Sequence, residues 1–194
     1  MRQLRDLVRR LGALNGMHQQ EHNRLEAANE LIAKQLNEHI AYLNAEIKKV
    51  KALIQRHVDD HLDLKRRKAL LQSIPGISEA TISVILSEFA DIQQFSNAKA
   101  LAAFVGVTPR IQQSGRSMRG RARMSKMGRS KLRKAFYMPA LVALRDHPTI
   151  MEMQKRLTKA GKSKMAIVGA AMRKLIHLVY SVLKNGVPFD KNFA

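Results

Sequence analysis

Ser114 heads the run Ser114-Gly115-Arg116-Ser117-Met118-Arg119-Gly120-Arg121-Ala122-Arg123-Met124-Ser125-Lys126, and no Asp or Glu occurs from Ile92 to Arg145. A hydroxyl set among guanidinium groups is the pairing that attack on a phosphodiester needs. The attacked phosphate gains negative charge in the transition state, and fixed cations stabilise it. A free serine hydroxyl is a weak nucleophile without a base or a metal, and the same residues also suit plain hydrogen bonding to phosphates. Chemistry alone does not rank Ser114 above Ser117, Ser125 or Ser130. The run lacks the acids of a salt-bridge-laced helix face, so its charge needs an outside polyanion, of which a nucleic-acid backbone is the commonest. In an extended segment Arg119, Arg121 and Arg123 fall on one side, a row suited to tracking phosphates. Arg110 before the run and Arg129, Lys131 and Arg133 after it extend the same candidate surface. Gly115 and Gly120 allow close backbone approach to a ligand, or serve as turn residues.

Other chemistry-bearing residues are less well placed. His18 and His22 are spaced i, i+4, as are His57 and His61, a spacing zinc can use. Each pair lacks a third ligand nearby and reads as a solvated helix face. Asp59, Asp60 and Asp63 stand beside Lys65-Arg66-Arg67-Lys68 and read as helix-end charges rather than a Mg²⁺ site, so no metal ligand is assigned. Tyr137 lies among Ala135, Phe136 and Met138 without the His and Arg set of a tyrosine recombinase, and reads as a partly buried helix residue. The absence of Cys excludes thiolate metal sites, disulfides and Cys nucleophiles. Trp is absent and aromatic residues are 5% of the chain, so base stacking on an aromatic platform is not the expected binding mode. No apolar run approaches a membrane span and no signal-peptide core is visible, which predicts a cytoplasmic, nucleoid-associated protein of a prokaryote.

The elements that must position the basic run are all read as helices. Residues 1–91 carry 14 basic and 12 acidic side chains, whereas residues 92–194 carry 21 and 3. Up to Leu64 there is no Pro, and Leu36, Ile40, Leu43, Ile47, Val50 and Ile54 form a heptad seam. The earlier stripe Leu4, Leu7, Leu11, Leu14 and then Leu25, Ala28, Ile32 is less regular. Asn15-Gly16 is the expected interruption, giving one long kinked helix or two consecutive ones. Residues 1–64 are therefore read as a coiled-coil dimerisation region, with a second copy of the chain preferred over the second domain as the cover for its seam. Residues 65–194 are read as a compact all-α domain. Its segment Leu70 to Ser78, with Pro75-Gly76 between two apolar helices, resembles a helix-hairpin-helix, whose hairpin N–H groups and following helix N-terminus face a phosphate. Ser78 stands where a second hairpin Gly usually lies, and an ordinary αα-corner is the alternative. A short helix follows from Phe95-Ser96 and ends at Gly106. Residues 109–127 are an extended loop that orders on its ligand. Helix resumes near Ser130, breaks at His147-Pro148, and continues over 149–160 and 163–184, with Ser163 as N-cap and Gly186 as terminator.

The ordered segments Ser73-Ile74-Pro75-Gly76-Ile77, Phe104-Val105-Gly106-Val107-Thr108-Pro109-Arg110, Ser114-Gly115, Arg119-Gly120, Arg123-Met124-Ser125-Lys126, Leu132-Arg133, Tyr137-Met138-Pro139-Ala140 and Lys184-Asn185-Gly186-Val187-Pro188-Phe189-Asp190 resemble the C-terminal half of transposases of the IS-one-ten insertion-sequence family. The resemblance implies a DNA recombinase guided by a structured bridge RNA. It implies a RuvC-like domain with four metal-binding acids, then a coiled coil, then an all-α domain with a catalytic serine. That serine maps onto Ser114, which would form a covalent phosphoserine link to DNA with help from Mg²⁺ held by the acidic domain. Met1 falls inside the coiled-coil portion of this pattern. These 194 residues are thus expected to supply half of a composite site, to bind no cofactor themselves, and to be inactive alone. The competing reading is a non-catalytic nucleic-acid-binding and oligomerisation module or regulator.

Overall fold

The computed structural model describes residues 2–89, 91–110, 113–114, 118–119 and 123–190. It divides into two compact units, Met1–Lys65 and Arg66–Ala194.

The first unit is an antiparallel helical hairpin of α1 (Arg2–Leu25) and α2 (Glu30–Asp59). Ile40, Leu43, Ile47, Val50 and Ile54 are buried, and α1 lies along α2 with its own buried Leu4 and Leu14. The apolar seam that favoured a second copy is thus packed within one chain, and the argument for dimerisation drawn from it lapses. The turn falls at residues 26–29 rather than at Asn15-Gly16. Gly16 stays inside α1, where glycine costs about 1 kcal/mol against alanine. Asn29 starts α2 by accepting the Ile32 N–H at 3.0 Å. The α1 seam continues from Leu14 through His18 and Glu21 to Leu25 at heptad spacing. Those two polar positions hid it. The buried Glu21 carboxylate meets His39 Nδ1 of α2 at 3.1 Å and Arg24 at 3.3 Å. His18 and His57 are half-buried, each with a buried Nε2, so they do not form the solvated faces expected of them.

α3 (Leu62–Gln72) opens the second sequence of helices, followed by α4 (Glu79–Glu88), α5 (Ala98–Val105), α6 (Ser130–Asp146), α7 (Pro148–Lys159) and α8 (Lys164–Asn185). α8 is the centre of the second unit and packs on α5, α6 and α7, while α4 packs on α6. Residues Ile167, Ala171, Leu175, Ile176 and Val179 bury one face of α8. This helix is long and apolar enough to cross a membrane by length and composition, contrary to the sequence reading. Half of its most apolar stretch is buried inside the domain. Ser78, Asn97 and Ser163 cap α4, α5 and α8 with their side chains. Gly106 and Gly186 end α5 and α8 in the left-handed conformation, with φ of 82° and 68°. Pro139 sits inside α6 and leaves the carbonyl of Ala135 without its helical donor. The Thr81 hydroxyl of α4 donates to that carbonyl at 3.4 Å. After α8 the chain returns to the α3–α4 turn, where the Phe189 N–H donates to Ser73 Oγ at 2.7 Å.

The fold is all-α except in the basic segment. There β1 (Pro109–Arg110) pairs antiparallel with β4 (Arg123–Met124), and β2 (Gln113–Ser114) with β3 (Met118–Arg119). The segment expected as an extended loop that orders on its ligand thus carries two short ladders.

Candidate functional site

The base of the basic loop is held by backbone. Ser125 N–H donates to Thr108 O at 2.8 Å, Lys126 N–H to Gly106 O at 3.1 Å, and Arg129 N–H to Phe104 O at 3.0 Å. A Cβ at Gly128 would stand 2.5 Å from Phe104 O and 2.6 Å from Gly106 N, so only glycine permits this approach. Lys126 adopts a left-handed φ of 55° in the same crossing. Sequence reasoning singled out Gly115 and Gly120 and passed over Gly128, because nothing local marks a backbone crossing between residues more than twenty positions apart. β4 is anchored in turn on α8, where a Cβ at Gly169 would lie 3.0 Å from Met124 Cε.

Two of the expected nucleic-acid contacts are engaged by the protein. Arg129 Nη1 donates to Glu88 Oε2 at 2.7 Å, and its guanidinium lies over the Phe104 ring at 5.1 Å. The Glu88 side chain is only 6% exposed, so Arg129 neutralises a carboxylate at the edge of the core. Phe104 in turn meets Phe89 and Phe95 in a three-ring cluster. Arg133 Nη1 donates to Val105 O and Lys126 O, both at 3.3 Å, and so ties α6 to the loop base. Both arginines keep further N–H donors beyond these bonds. Glu88, the last residue of α4, was not singled out in the sequence, since nothing local marks its distant partner.

Arg110, Lys126 and Lys131 are exposed, and Arg110 Nη1 approaches Met127 Sδ at 3.9 Å. Ser114 stands opposite Met118 in the outer ladder, and Gln113 opposite Arg119. In the inner ladder Arg110 stands opposite Arg123. Arg116 and Arg121 lie outside the described residues, as do the side chains of Ser114, Arg119 and Arg123. The Pro75-Gly76 turn faces α6. Gly76 has a φ of 86°, and its hydrogen occupies a position where a Cβ would be 3.4 Å from Val142 Cγ1. Tyr137 on α6 is 39% exposed.

Among the described residues no group of three or more His, Asp or Glu could hold a metal ion. The His18–His22 and His57–His61 rings are neighbours at 4.5 and 4.3 Å, without a third ligand. The resemblance places Mg²⁺ on a separate acidic domain and not on these residues.

The loop, α4 to α6 and the Pro75-Gly76 turn fall within one matched segment, and α8 lies beyond it. Residues 68–157 match the transposase IS116/IS110/IS902 family. The matched segment runs from within α3 to near the end of α7 and includes Ser114 and every candidate nucleic-acid contact. The chain is 33% identical over 172 residues to the pilin gene-inverting protein of Moraxella bovis, covering 88% of this chain and 53% of that protein. Identity and coverage are the same for the pilin gene-inverting protein of Moraxella lacunata. An uncharacterized 43.6 kDa protein of insertion element IS110 from Streptomyces coelicolor is 23% identical over 137 residues, 71% of this chain and 34% of its own length. The chain spans about half the length of the pilin gene-inverting proteins it matches.

Proposed function

We propose that this chain is the serine-bearing, DNA-binding portion of an insertion-sequence transposase or recombinase, and that Ser114 is its nucleophile. The observation that carries the reading is the acid-free basic loop, anchored at its base by Gly128 and held within the transposase-family segment. Relatives named for gene inversion support strand exchange as the reaction class. Ser114 Oγ bonds to phosphorus while one P–O bond to a sugar oxygen breaks. Ser114 gives up its proton and the leaving oxygen takes one up. Arg116, Arg119 and Arg123 stabilise the charge that builds on the phosphate. Arg110, Arg121, Lys126 and Lys131 hold the flanking backbone, with the remaining donors of Arg129 and Arg133. The Pro75-Gly76 turn is proposed as a further backbone contact through the Gly76 N–H, proline having none to donate. Mg²⁺ is proposed to come from a RuvC-like acidic domain, a structured guide RNA to specify the DNA, and the cytoplasm of a prokaryote to be the site of action.

The test is a covalent protein–DNA adduct formed by a protein that joins the acidic domain to these residues, with guide RNA and Mg²⁺. Ser114→Ala should abolish the adduct and weaken DNA binding by no more than about 1 kcal/mol, since one neutral hydroxyl is lost. An adduct that survives Ser114→Ala but vanishes with Ser117→Ala or Ser125→Ala refutes the assignment. Loss of binding together with the adduct favours plain phosphate contact.

A further inference from the structure

One face of α8 gathers cations outside the loop. Arg173 and His177 stand one turn apart on this helix, with Lys174 beside them. Lys99 in the first turn of α5, which packs on α8, bears on the same imidazole. No acid among the described residues forms an ion pair with Lys99, Arg173 or Lys174. The Nε2 atom of His177 is buried and makes no hydrogen bond. Burial first, then the charges of Arg173, Lys174 and Lys99, hold its pKa below the ordinary imidazole value. The three cations repel one another until an anion joins them, and the neutral imidazole leaves its buried nitrogen without a partner.

The cluster also continues the loop. Met124 of β4 meets α8 at Gly169. Arg173 lies about 6 Å further along the helix axis and His177 about 12 Å, at 1.5 Å per residue. We propose that this face of α8, together with Lys99, is a second phosphate track that holds the backbone of the DNA strand running through the loop. Arg173 offers a planar fork of donors, Lys99 and Lys174 act as point charges, and His177 is a proton-dependent donor. The track rests on the reading of the loop as a DNA contact.

The test is duplex-DNA affinity of the full chain measured against salt. A steep wild-type slope is expected. The triple variant Lys99→Gln, Arg173→Gln, Lys174→Gln should lose about 0.9 of that slope for each phosphate contact removed, a total of about two to three. The charge-keeping pair Arg173→Lys, Lys174→Arg should retain it. An unchanged slope in a triple variant that circular dichroism shows to be folded overturns the track and leaves the loop reading intact. A flat slope in the wild type removes both. A loss confined to structured RNA overturns the assignment to DNA. If the triple variant does not fold, proton NMR of the wild-type chain decides, with His177→Gln assigning the signal. Phosphate beside His177 raises its pKa on DNA addition, and no shift refutes the track.

Discussion

The helical hairpin and the second unit treat charge in opposite ways. In the hairpin a buried acid finds its partners within the chain, Glu21 against His39 and Arg24. Elsewhere on it Asp6 meets Arg9 and Glu46 meets Lys49. In the second unit Arg129 meets Glu88 in the same manner, but residues 92–194 hold 21 basic side chains against 3 acidic ones. Internal pairing cannot absorb that excess. An unmatched surplus of one sign favours a partner of the opposite sign, whereas matched charges do not.

The sharpest way to break this contrast is to place a charge where the hairpin has none. Leu43 is 2% exposed on the α2 seam, so Leu43→Asp should destabilise the hairpin by about 3–5 kcal/mol through lost burial and an unpaired carboxylate. Urea unfolding followed by helical circular dichroism measures it, and a loss below about 1 kcal/mol would mean the seam is not a packed interface.

The next effect tests the place where, among the described residues, the second unit pairs a buried acid. Arg129→Met removes the partner of Glu88 and should cost about 2 kcal/mol, less than for a fully buried pair because Arg129 is about half exposed. The same variant should change the salt slope of DNA binding by less than one full phosphate contact. A stability unchanged by Arg129→Met, with a slope reduced by about 0.9, would return this arginine to the binding surface.

The smallest pair of effects sets one substitution in two regions. Gly128→Ala forces a methyl against backbone at 2.5 Å and should destabilise by about 1–3 kcal/mol. Gly16→Ala meets nothing within 4 Å inside α1 and should stabilise by about 1 kcal/mol. Equal signs in thermal melts would show that backbone crowding does not explain the loop base.

Much of the second unit was legible because its signals are local. Gly106, Ser163, His147-Pro148 and Gly186 each act within one turn of a helix end, and the observed boundaries fall there. The hairpin turn was misplaced for the same reason. Asn15-Gly16 looks like a local break, while the seam that keeps α1 continuous runs through His18 and Glu21, which a hydrophobic pattern does not count. The basic loop was visible as composition, but its ladders were not, since two-residue strands leave no alternating pattern to detect.

The sequence by itself determined the all-α class, most helix ends, the acid-free stretch from Ile92 to Arg145 and Ser114 as one hydroxyl among its arginines. These follow from residue type and short-range spacing. Only the tertiary structure decided that the α2 seam is covered by α1, that Arg129 and Arg133 serve the loop base, and that Gly128 sits at the backbone crossing. It also packed α5, which carries Lys99, against α8, which carries Arg173 and His177, residues more than seventy positions apart in the chain. Each of these depends on which distant segments pack together, a choice made by burial summed over the whole core rather than by any one residue's neighbours in sequence.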